Sequence, residues 1–112
     1  MVKVNKARGD VLVKLGDETY VLRGTFSNLA ALQSAIDVNG LGKVLELISA
    51  LDARALLEGI KCLAIDGDIK AIDDLNFFDV MNDVQEAILS AITGAMGQDE
   101  GNVDSETETA SQ

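Results

Sequence analysis

The sequence predicts an α+β fold, an N-terminal β-hairpin packed on a small bundle of about four α-helices, and three observations predict it. Apolar and polar residues alternate with period two in DVLVKLGDETYVLR, around Gly16-Asp17. Helical spacing takes over from Thr25 and recurs in four blocks as far as Met96. A chain of 112 residues is long enough for one hydrophobic core and too short for two independent ones. We place the hairpin-plus-helices domain over residues 1–96 and a disordered acidic tail over 97–112.

In the hairpin, Gly16-Asp17 is a Gly-first pair suited to a two-residue type II′ turn. That turn sets Val11 against Leu22 and Val13 against Tyr20 on one face, the expected core side. Leu12 against Val21 and Asp10 against Arg23 fall on the other. Because that second face is not fully polar, Leu12 and Val21 need cover or a partner.

TFSNLAALQSAI spaces Leu29, Leu32 and Ile36 as a helix, with Thr25 or Ser27 as N-cap and Asn39-Gly40 as the stop. In LGKVLELISAL, residues Leu41, Val44, Leu45, Ile48 and Leu51 form an almost complete apolar stripe. Asp52 then caps a third helix, whose apolar face is Ala53, Leu56, Leu57, Ile60, Leu63 and Ala64 and whose stop is Gly67. A short helical turn is expected around Ile69 to Asp74. The last helix runs from Phe77 to Met96, with Phe78, Met81, Val84, Ile88, Ala91, Ile92 and Ala95 on one face, and Asn76 with Asp79 resembles a capping box. Beyond Gly97 the chain is acidic and rich in Ser and Thr, too polar to order itself.

Charge narrows the function. The net charge is -10, and it is uneven: Met1 to Ile72 carries nine acidic and nine basic residues, whereas Asp73 to Gln112 carries ten acids and no base. Such a surface repels phosphate backbones and anionic lipid, so no nucleic-acid or membrane partner is expected. No apolar run reaches the roughly 20 residues of a bilayer span, and MVKVNKARGD lacks a signal-peptide core, so a cytoplasmic location is expected. The lone Cys62 falls in an apolar helical pattern and reads as core packing.

Catalytic constellations fail one by one. There is no His, which removes Ser-His and Cys-His pairs and histidine metal sites. Asp66, Asp68, Asp73, Asp74 and Asp79 do not match a calcium loop, since counting from Asp66 puts Ala71 at the glycine position and Phe77 at the glutamate position. Gly40-Leu41-Gly42-Lys43 resembles a phosphate loop only in part, because Asp37 and Val44 stand where Gly and Ser or Thr are required. Asp73 and Asp74 are adjacent and point apart, which makes them poor acid-base partners. No catalytic residue, cofactor or metal is expected. What remains is apolar surface: Leu12, Val21, Phe26, Met81, Leu89 and Met96 are the candidate partner-binding residues, the methionines being suited to an adaptable surface.

The segment NKARGDVLVKLGDETYVLRGTFSNLAALQSAI resembles the opening of the small phage and gene-transfer-agent tail assembly chaperones. The residues that carry the resemblance are Arg8-Gly9-Asp10, Leu22-Arg23 and Thr25-Phe26, followed by Leu29, Ala30 and Leu32. The order of the later helices agrees as far as Met96. The resemblance implies a protein encoded beside tail genes that binds the tape-measure protein, and possibly other tail proteins, and keeps it soluble during tail assembly. It also implies a protein of the host cytoplasm that is absent from the mature virion. The sequence leaves the oligomeric state open, a homo-oligomer being one of the partners it allows. A tail-tube-associated structural protein of the virion is the near alternative, and an acidic regulatory protein-binding module a more distant one.

Overall fold

In the computed structural model, which describes residues 9–96, β1 (Val11–Leu15) and β2 (Glu18–Leu22) form the expected hairpin. Val11 pairs with Leu22, Leu12 with Val21 and Val13 with Tyr20, in the register anticipated from the turn. Gly16 has φ +64° while Asp17 stays on the negative side, as a type II′ turn requires. The side chains of Ala95 and Met96, and the proposed acidic tail, lie outside the described residues.

α1 (Phe26–Ala35) starts on Thr25, whose Oγ1 accepts from Asn28 N at 3.1 Å. It stops earlier than Asn39-Gly40. Asp37 takes a left-handed conformation at φ 56°, Asp37 N donates to Ser34 O and Val38 N to Gln33 O, which is a Schellman ending built without glycine. Gly40 instead opens α2 (Leu41–Ser49) at φ 94°, held by its N–H on Gln33 Oε1. α2 ends in the same motif, with Leu51 at φ 61° and Asp52 N on Leu47 O. Asp52 then starts α3 (Ala53–Leu63), its Oδ2 accepting from Ala55 N at 2.9 Å. One residue thus closes one helix and opens the next.

α3 departs from expectation at both its face and its end. The buried positions are Ala55, Leu56, Gly59, Ile60 and Leu63, while Ala53 is exposed and Leu57 half-buried. Gly59 belongs to the core face because α4 approaches it: a Cβ there would lie 2.6 Å from Ile88 Cδ1. The helix does not continue to Gly67. Ala64 turns extended, and β3 (Ala64–Asp66) adds to the hairpin antiparallel to β2, giving a three-stranded sheet in the order β1-β2-β3 with an irregularity between Val21 and Leu22. Gly67, at φ 113°, then passes against the Tyr20 ring.

A 3-10 helix, Ile69–Asp74, occupies the stretch expected to hold a short turn. α4 (Phe77–Met96) follows, with Asn76 Oδ1 accepting from Phe78 N. One core joins all these layers, with Leu15, Tyr20 and Leu22 from the sheet, Leu32, Val44, Ile48, Ile60 and Leu63 from α1 to α3, and Val84, Ile88 and Ile92 from α4. No helix among the described residues is long and apolar enough to cross a membrane.

Candidate functional site

α3, the 3-10 helix and α4 do not close completely on one another. Between them runs an apolar groove of about 200 Å³, walled by Leu57, Ile60, Leu75, Phe77, Val80 and Met81. Its size argues against a small-molecule site, which typically needs roughly 300–1,000 Å³. It is of a size to take a few apolar side chains presented by another chain.

Helical geometry explains why this wall is apolar. Phe77, Val80, Met81 and Val84 recur at i, i+3, i+4 and i+7, the stripe of α4 turned toward α3. Phe78 lies about 100° further round from Phe77, beyond Met81 at the outer margin of that stripe. It stands 77% exposed with its ring edge-on to Phe77, centroids 5.4 Å apart, and so extends the apolar surface of the groove outward. The sequence reading put Phe78 on the core face. Two adjacent aromatics at a helix start leave open which of them faces inward, and the structure chooses Phe77.

The polar wall residue is Asp73, whose Oδ1 lies 2.9 Å from Lys61 Nζ. The hydrogen bond to Asp73 raises the Lys61 pKa, with the charges of Asp73 and Glu58 adding in the same direction against partial desolvation. At neutral pH the pair leaves this rim without excess charge. Cys62, on the same helix, is half-buried; burial, then the Glu58 charge, raises its pKa and keeps the thiol protonated. Among the described residues no group of three or more His, Cys, Asp or Glu is placed to hold a metal ion.

The six residues proposed from sequence are dispersed. Met81 lines the groove just described. Phe26, 92% exposed, borders a separate shallow depression with Leu29, Ala30 and Leu41. Leu12, 49% exposed, lines a third, more polar groove between β1 and α4. Val21 is only 4% exposed and offers no surface to a partner; β2 is the central strand, flanked by β1 and the unforeseen β3. Leu89 packs in part against the core rather than standing free. Met96 falls among the side chains that are not described. Leu57, Leu75 and Phe77 were missed as groove residues, since helical spacing marks an apolar face but not how completely its neighbours cover it. Compared with known proteins, the chain matches no family model, no curated protein and no solved structure.

Proposed function

We propose that this protein is a phage tail assembly chaperone, which binds an amphipathic helical segment of a tape-measure-like protein and keeps it soluble. The observation that supports the reading is the groove between α3 and α4, with the exposed Phe78 at its side. An amphipathic helix docks in such a groove by side chains at i, i+3 and i+4, and Met81 can adapt to their shape. The resemblance of the Arg8 to Leu32 segment to tail assembly chaperones supplies the identity of the client. The net charge of -10 would add solubility to the complex. A stable specific complex typically buries about 800 Å² on each partner, and a chaperone that must release its client can use less.

The test is co-expression with the candidate partner, comparing its soluble yield with and without this protein and looking for a complex on size exclusion. A client that is equally soluble alone and forms no complex sinks the proposal. Recovery of the protein in stoichiometric amount from mature particles would favour the tail-structural reading instead.

A further inference from the structure

β1 is an edge strand: it pairs with β2 and with no other strand among the described residues. Around a two-residue hairpin loop the flanking pair, Leu15 and Glu18, exchanges hydrogen bonds, and bonded pairs then alternate with non-bonded ones. Val13 with Tyr20 and Val11 with Leu22 therefore bond inward. Leu12 and Lys14 turn their N–H and C=O groups to the free edge.

That edge opens on the polar groove, which is lined by Val11, Leu12, Val13 and Lys14 on one side. Four consecutive strand residues point to both faces of a sheet, so a groove that meets all four runs along the backbone edge. The opposite wall is a single stripe of α4, Asp83, Glu86, Ala87 and Ser90, at i, i+3, i+4 and i+7. Asp83 and Glu86 are exposed and make no ion pair among the described residues.

We propose that the β1 edge is a strand-addition site for an extended segment of a partner protein that carries Lys or Arg at alternate positions. The added strand would pair through the outward backbone groups of Leu12 and Lys14, with its basic side chains toward Asp83 and Glu86 and its apolar ones beside Leu12. Alternate residues of a strand are about 6.6 Å apart. One turn of helix rises about 5.4 Å, so successive basic residues can reach the two acids. Charge selects this occupant over a second copy: pairing two β1 edges would bring two acidic stripes, from chains of net charge -10, to one seam. The surface is distinct from the α3–α4 groove, and its occupancy does not depend on the chaperone reading.

The probe is an eight-residue peptide, TVKVKVKT, blocked at both ends and titrated into the full chain while amide hydrogen exchange is followed by NMR. We expect exchange at Leu12 and Lys14 to slow at least tenfold, and that at Val11 and Val13, already bonded to β2, to stay as it is. The double variant Asp83→Lys/Glu86→Lys changes two exposed residues and should weaken binding at least tenfold. Lys14→Pro removes an outward N–H at an edge position, where Pro is tolerated, and should abolish binding with both acids in place. Equal affinity for the double variant, or protection away from Leu12 and Lys14, overturns the proposal. So does a dimer in which those two amides are already slow, which would assign the edge to a second copy. Binding that appears only after residues 1–8 are removed would assign it to the chain's own N-terminal segment and overturn the proposal equally.

Discussion

Arg23 grips Asp10 across the open end of the hairpin with two hydrogen bonds of 2.7 Å, Nε to Oδ1 and Nη2 to Oδ2. The planar fork matches the carboxylate at both oxygens, and the Asp10 side chain is fully buried while that of Arg23 keeps 20% of its surface. The hydrogen bond to Asp10 raises the Arg23 pKa further, so the guanidinium stays charged. Arg23 also links the sheet to the helices through its backbone, N–H to Leu63 O and C=O from Asn28 Nδ2.

The first prediction concerns that pair. Arg23→Leu leaves a buried carboxylate without its partner guanidinium and should lower the melting temperature sharply, whereas the double variant Asp10→Asn/Arg23→Leu should recover part of the loss. Equal melting of the single and double variants would show that the two residues do not act on each other.

The second concerns alkaline pH. Burial raises the Tyr20 phenol above its ordinary 10.0, with Glu18 and Asp68 adding in the same direction, and its hydroxyl donates to Asp68 O at 2.7 Å. The unfolded phenol ionises first, so stability is complete below about pH 10 and is lost as pH rises toward the folded value. Cys62, raised from 9.0, acts with the same sign from a lower pH, and a Cys62→Ala background separates the two. Tyr20 is the chain's one tyrosine and there is no Trp, so phenolate absorbance reports this residue alone. Ionisation and unfolding should coincide, and a phenol that titrates at 10 in the folded protein would contradict the prediction. Tyr20→Phe should cost about 1 kcal/mol at neutral pH.

Backbone conformation supplies the third. At Gly67 a Cβ would lie 2.4 Å from Tyr20 Cδ2 and 2.9 Å from Thr19 O, at φ 113°. Gly67→Ala should therefore destabilise by about 2–3 kcal/mol in urea. Asp37→Gly acts in the opposite direction, because Asp37 is exposed and held at φ 56°, and should stabilise by about 0.5–1 kcal/mol. A destabilised Asp37→Gly variant would show that the left-handed position is not strained.

The fourth prediction tests the α3–α4 groove. Phe78→Asp changes a residue 77% exposed, so folding stability should move by no more than about 0.5 kcal/mol. Client binding should weaken at least tenfold, as expected for an aromatic anchor. Unchanged co-purification of the client would remove Phe78 from the binding surface.

Local chemistry was legible wherever one residue type answers one need. Gly16 at the turn, Thr25 and Asp52 as caps and the cross-strand partners of the hairpin all followed from short-range rules. Endings were less so: Asp37 and Leu51 close helices in conformations that usually favour glycine. β3 was hidden because Cys62 to Ile65 is a short apolar run that fits a helix end as well as a strand, and only the waiting edge of β2 decides between them. With β3 unseen, Val21 was taken for an available surface, and Phe78 was taken for a core residue because two adjacent aromatics leave open which of them faces inward.

The pairing of Leu22 with Ala64 has a kinetic consequence. It ties together positions separated by some forty residues, so α1, α2 and α3 form a closed excursion from the sheet, and closing a loop of that length costs roughly 3 kcal/mol of chain entropy. The β1-β2 hairpin has no such cost and forms on a scale of about 1–10 μs. β3 can align only when the three helices have collapsed enough to bring α3 back beside β2. Completion of the sheet is therefore expected to come late on the folding path, together with consolidation of the helical core, and a chain caught before it would expose the outer edge of β2 as well as that of β1.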